Sequence, residues 1–219
     1  MNPLKGVDAL TDEVLRLRND PKVRDTVDNR IAAFLKVMKE GSNAWFIELV
    51  YCLLTAYSSA ERGQLCVDAL CDCGALLDGS LTEVAETLTC QGHRFAERRA
   101  EYIVEARRLA LDLKEIVQGF GATKAAREWL VRNVKGLGWK ESSHFLRNVG
   151  YLDVAIIDRH ILNNLRDYGL VSDEGSKGLT KKRYLKYERI LGEVAKRVGM
   201  SLGELDLYLW YRKTGKVLK

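Results

Sequence analysis

The sequence predicts an all-α protein, on three observations. Only two prolines, Pro3 and Pro21, occur in 219 residues, so the strongest helix breaker is confined to the first tenth of the chain. Apolar residues recur at three- and four-residue spacing in one segment after another, the period of an amphipathic helix. Strict apolar-polar alternation, which marks a half-buried strand, is sustained nowhere.

In chain order, a first helix is expected over 11–19 on Val14, Leu15 and Leu17, and a second over 27–40 on Ile31, Phe34, Leu35, Val37 and Met38. Gly41-Ser42-Asn43 punctuates the chain before a third helix over 43–57, and Asp78-Gly79-Ser80 separates 61–77 from 81–88. Residues 95–118 read as one long helix on Tyr102, Ile103, Ala106, Leu109, Ala110 and Leu113, closed by Gly119-Phe120-Gly121. Helices over 122–134, 139–149 and 159–169 follow, then the polar cluster Val171-Ser172-Asp173-Glu174-Gly175, then helices over 180–198 and 201–211.

A composition of 47% hydrophobic and 30% charged residues excludes disordered, collagen-like and disulfide-scaffold classes. The length allows one full domain or two small interleaved ones. The most apolar stretch, Trp45 to Leu54, is broken by Glu48 and is far shorter than a bilayer requires, so no membrane span is expected. Five cysteines, an odd number, all lie in the first 90 residues, and no secretory leader precedes them; reduced thiols and a cytoplasmic location are expected. Cys71-Asp72-Cys73 lacks the spacing of a zinc site and reads as small buried hydrophobes, so no metal is expected.

Charge is unevenly placed. Residues 1–90 hold 9 Lys/Arg against 14 Asp/Glu, and residues 91–219 hold 26 against 16, within a net charge of +5. That asymmetry favours a polyanionic partner for the second half, although a solvated basic face would look the same. There is no Walker loop, and Gly136-Leu137-Gly138-Trp139-Lys140-Glu141 lacks the third glycine and preceding strand of a dinucleotide fingerprint.

The informative segment runs from Leu130 to Leu146, two amphipathic helices around Gly136-Leu137-Gly138. Such a turn makes a tight helix hairpin in which both glycines can take positive φ while Leu137 dips between the helices. Gly136 and Gly138 would let a backbone approach closely, and their amides with those opening the second helix would cradle a DNA phosphate. Lys140 falls in the first turn of that helix, where the helix dipole disfavours an ammonium ion and, with desolvation, a neutral nucleophilic amine is expected. Eighteen residues on, the apolar run Val154-Ala155-Ile156-Ile157 ends in Asp158, placed to cap the next helix by accepting the Ile161 amide. An ionised carboxylate and a neutral amine form a workable pair: one attacks, the other balances positive charge at a sugar. Taken singly, a helix corner, a surface lysine and a capping aspartate would read the same way.

Gly-Leu-Gly-Trp-Lys at 136–140 followed by Asp158 resembles the helix-hairpin-helix, glycine-rich loop and aspartate motif of the DNA base-excision glycosylase superfamily. Residues 140–148, Gly92-His93-Arg94-Phe95, residues 98–104 and Leu205-Asp206-Leu207-Tyr208-Leu209-Trp210-Tyr211 are similar to the type-2 8-oxoguanine DNA glycosylase/lyases, over about Glu48 to Lys219. Where that pattern has Asn or Gln, this chain reads Tyr57, so no role carries over to it; the four cluster-binding cysteines of iron–sulfur relatives are also missing after Cys90.

The resemblance implies two helical subdomains: 1–45 with 152–219 from both chain ends, and 46–151 carrying the hairpin at 122–149, with a DNA-binding cleft between. It implies Lys140 and Asp158 as catalytic residues, no metal or organic cofactor, and a monomer acting on double-stranded DNA containing 8-oxoguanine or abasic sites. It also implies that the chain ends in a base-reading lysine, so the Lys219 carboxylate would accept the N7 hydrogen that guanine lacks, with Trp210 offering an aromatic face. The rival readings are a non-catalytic DNA-binding hairpin module and a glycosylase/lyase for oxidised pyrimidines.

Overall fold

The computed structural model describes residues 3–172 and 179–219, so the cluster at 171–175 lies partly outside the described residues. The described residues form twelve α-helices and one short 3-10 turn, with no strand. Helix α1 spans Pro3–Arg18 and α2 spans Pro21–Lys39. Both begin earlier than the apolar spacing suggested, because each proline occupies a first helical position, where its missing N–H costs nothing. The chain clusters into two compact units, Met1–Leu35 with Gly150–Lys219, and Lys36–Val149. The sequence reading set the corresponding boundaries at 45/46 and 151/152. Residues 36–41 group with the second unit because Val37 and Glu40 carbonyls accept the Trp45 indole N–H (3.0 Å) and the Lys114 ammonium (2.6 Å).

The Lys36–Val149 unit is organised by α3 (Ser42–Thr55), whose Trp45, Phe46, Leu49, Val50, Tyr51, Cys52, Leu53 and Leu54 are all buried. A helix apolar on every side needs neighbours on every side, and α4 (Ala60–Asp72), α6 (Ala96–Ala106), α7 (Leu113–Gln118) and α9 (Trp139–Asn148) supply them. The buried Glu48 on α3 is answered by the Asn148 amide at 2.9 Å. Helix α5 (Leu81–Cys90) starts with a reciprocal cap between Ser80 and Glu83. Cys71 and Cys73 are exposed at the end of α4, against the expectation of buried thiols; Cys52 and Cys66 are the buried ones.

The single helix expected over 95–118 is broken. After α6 the chain tightens to a 3-10 turn at Arg107–Leu109, and α7 restarts at Leu113. The Arg107 guanidinium donates to three carbonyls, of Ala75, Leu76 and Gly79, at 2.6 to 3.0 Å. Those anchors hold Arg107 at the point of the break, while Leu109 and Leu113 still face the core, so the apolar period runs on through it.

In the other unit, α1 packs on α11 (Lys181–Val198) and α12 (Leu202–Thr214), and α10 (Arg159–Asp167) packs on α12. The buried Asn164 of α10 ties the last pair together by donating to the Leu209 carbonyl at 2.9 Å and accepting from Arg212 at 3.0 Å. Burial raises the Asp167 carboxyl, but hydrogen bonds from Lys213 and Arg212 outweigh it and leave its pKa lowered.

Candidate active site

Helices α8 (Thr123–Asn133) and α9 form the hairpin that the glycine turn predicted. Leu137 is buried at its tip. Gly136 has φ +91°, and a Cβ there would lie 2.3 Å from the Tyr102 ring, so two separate constraints demand glycine. Gly138 departs from the expected positive φ. It is extended (φ −93°, ψ −169°) and acts as the residue before the first turn of α9. Its N–H donates to Glu141 Oε2 at 3.2 Å, and a Cβ would crowd that same oxygen at 3.0 Å. The fully buried Arg127 of α8 fixes the start of α9 from below, donating to Ser143 Oγ at 3.1 Å with its guanidinium 4.9 Å from the Trp139 ring centre.

Lys140 is the second residue of α9, its side chain 28% exposed, with Nζ 3.7 Å from Glu141 Oε1. The first-turn N–H groups around it have no partner within the helix, which gives this end a positive local potential.

Asp158 is the cap that the sequence predicted. Its backbone is extended (φ −98°, ψ −174°) and its carboxylate accepts the Ile161 N–H at 2.8 Å. The preceding run, Val154 to Ile157, is buried and pinned from α11: Tyr184 donates to the Ala155 carbonyl (2.6 Å) and accepts the Ile157 N–H (3.2 Å), while Glu188 accepts the Ala155 N–H (3.1 Å). Irregular backbone has few internal partners. Here buried side chains supply them, and the aspartate is carried at a fixed position.

Trp210 on α12 is half-buried, its ring edge-on to His160 of α10 at 5.5 Å, two residues beyond Asp158. After α12 the chain stays attached. Thr214 Oγ1 accepts the Lys216 N–H at 3.2 Å, Val217 is buried, and Lys219 is half-buried. Thus Gly136, Gly138 and Lys140 share one hairpin, and Asp158, Trp210 and Lys219 belong to the other unit.

Two features escaped the sequence reading. The first is Glu141, for which the glutamate three residues past an N-cap position was an available signal. The second is an exposed aromatic pair. Tyr57, 86% exposed, is the only non-glycine with positive φ (63°) among the described residues, and its ring meets Phe95 edge-on at 6.3 Å. The Arg94 guanidinium lies 5.0 Å from the Phe95 ring centre. His93 holds that loop, its Nδ1 accepting the Phe95 N–H and its Nε2 meeting the Leu54 carbonyl at 2.9 Å. Burial lowers the His93 pKa, so the ring is neutral with its proton on Nε2. Backbone strain of this kind clusters at active sites and ligand clamps.

The fold and the hairpin define an all-helical protein of the helix-hairpin-helix type. Residues 27–200 match the family model described as 8-oxoguanine DNA glycosylase. A relative from Korarchaeum cryptofilum named 8-oxoguanine DNA glycosylase/AP lyase is 48% identical, covering 98% of this chain and 100% of its own. The crystal structure of the Methanocaldococcus jannaschii 8-oxoguanine glycosylase/lyase with a 15mer DNA containing 8-oxoguanine superposes with a TM-score of 0.91 at 46% identity, over 96% of this chain and 100% of that one. The 8-oxoguanine DNA glycosylase of Thermotoga maritima gives 0.87 at 44% identity, over 97% and 100%. The chain belongs to the 8-oxoguanine DNA glycosylase family.

Proposed function

We propose that this protein is a DNA repair glycosylase and AP lyase that excises 8-oxoguanine from double-stranded DNA through a Schiff base on Lys140 and then nicks the strand by β-elimination. The observation that carries the reading is the lysine in the first turn of α9, directly after the glycine turn, in a chain of this family. The damaged nucleotide leaves the stack, since C1′ is out of reach within a duplex. Lys140 attacks C1′, Asp158 balances positive charge developing at the sugar, and the base departs. The imine left on the opened sugar acidifies the 2′ position, so a proton is lost there and the 3′ phosphate is expelled. Gly136, Gly138 and the first-turn amides of α9 hold a backbone phosphate without reading sequence. Lys219 and Trp210 contact the extruded base, one as acceptor for the N7 hydrogen and one as a stacking face. Tyr57 and Phe95 enter the stack that the base has left, a sequence-tolerant use of aromatic rings.

Borohydride added during reaction with an 8-oxoguanine duplex traps a covalent protein–DNA adduct, and Lys140→Gln abolishes it while duplex binding persists. An undiminished adduct in that variant would assign the nucleophile elsewhere. Removal of Lys219 slows 8-oxoguanine release but leaves nicking at a pre-formed abasic site intact; equal slowing of both would remove Lys219 from base reading.

A further inference from the structure

Lys140 must be a free amine when it attacks, yet a lysine ordinarily reaches neutral pH as an ammonium ion. We infer that Glu141 takes that proton and is a catalytic participant as well as a helix cap, an inference that rests on Lys140 being the nucleophile. The two oxygens of the carboxylate have separate partners: Oε2 accepts the Gly138 N–H at 3.2 Å, and Oε1 stands 3.7 Å from Lys140 Nζ. A cap requires only the first contact. The second is not a product of helix geometry, because adjacent residues on a helix do not face each other. Both groups are mostly shielded, at 28% and 16% exposure.

The other charged and titratable groups near this end have partners of their own. Arg99 of α6, whose pKa burial lowers against smaller opposing effects of Tyr102 and Glu141, donates to the Ala56 carbonyl at 2.9 Å. Arg127 of α8 is bonded to Ser143, Glu48 of α3 to Asn148, and His144 lies against the Tyr51 ring. In the first step the Nζ proton passes to Oε1. The amine lone pair forms the Nζ–C1′ bond as the C1′–N9 bond breaks, N9 leaves with its electron pair, and the departing base takes the proton from Glu141. The adduct nitrogen then loses a proton to the same carboxylate, which hands it to O4′ as the C1′–O4′ bond breaks and the nitrogen lone pair forms the C1′=Nζ bond, opening the sugar ring to the imine.

The test is the single-turnover rate of adduct formation from mildly acidic to alkaline pH, on both an 8-oxoguanine duplex and a pre-formed abasic duplex. Glu141→Gln preserves the cap and the thermal midpoint, yet slows both reactions about a hundredfold at neutral pH, and the deficit narrows as pH rises and solvent removes the proton instead. Glu141→Asp, an acid with shorter reach, is faster than Glu141→Gln. A Glu141→Gln profile matching wild type in rate and pH dependence, or an aspartate variant no faster than the glutamine one, overturns the inference and leaves Glu141 a cap. If Glu141→Gln does not fold, Glu141→Asp against Glu141→Ala, normalised to duplex-binding-competent protein, decides by the same criterion. Failure of the underlying reading shows differently, as a trapped adduct in Lys140→Gln.

Discussion

Lys140 and Asp158 are held in opposite ways. The lysine rides on a turn shaped by missing side chains: Gly136 takes φ +91° with the Tyr102 ring where its Cβ would be. The aspartate rides on a segment shaped by present ones, with Tyr184 and Glu188 supplying hydrogen bonds that buried, irregular backbone cannot supply for itself. The lysine site should therefore fail when atoms are added, and the aspartate site when they are removed.

The strongest way to break this comparison is Gly136→Ala. The added methyl meets a ring at 2.3 Å in a left-handed backbone, and strain with overpacking together cost of order 3 kcal/mol. Denaturant midpoint and affinity for undamaged duplex both fall. In a Tyr102→Ala background the closest clash is gone while the 3.0 Å approach to Leu53 and the backbone strain remain, so Gly136→Ala is expected to cost about half as much there as in the wild-type chain. A Gly136→Ala protein as stable as wild type would mean that the turn is not set by what it lacks.

The same contrast explains which parts of the site were legible in the sequence. Asp158 as a cap and Leu137 as a buried tip were readable, because each depends on neighbours within a few positions. The partners that steady Asp158 were not: Tyr184 and Glu188 lie about thirty residues later, and nothing local in their helix marks them as partners of Ala155 and Ile157. Gly138 was misread because its extended conformation is open to any residue, and its constraint comes from the Glu141 carboxylate instead. The break after Ala106 was invisible for a related reason. A 3-10 turn preserved the apolar spacing, and the anchoring carbonyls at 75, 76 and 79 belong to another segment.

Asp158→Asn separates charge from cap. Asparagine caps as well as aspartate, so the thermal midpoint stays within about a degree or two, whereas base excision falls about a hundredfold or more without a carboxylate to balance the sugar's positive charge. A variant that unfolds early but turns over normally per folded molecule would make Asp158 a cap and nothing else.

Tyr184→Phe is the mildest of the three and the most discriminating, because it removes one oxygen and leaves the ring in place. That oxygen serves two backbone groups, as donor to Ala155 and acceptor from Ile157, both in buried residues. Leaving them unanswered costs about 1 to 3 kcal/mol. The segment gains freedom just before Asp158, so 8-oxoguanine excision slows several-fold while Lys140, carried by the other unit, still forms its adduct at a pre-formed abasic site at the wild-type rate. Equal slowing of both reactions would show that the two supports are not independent, and that loosening the aspartate's segment also disturbs the lysine's.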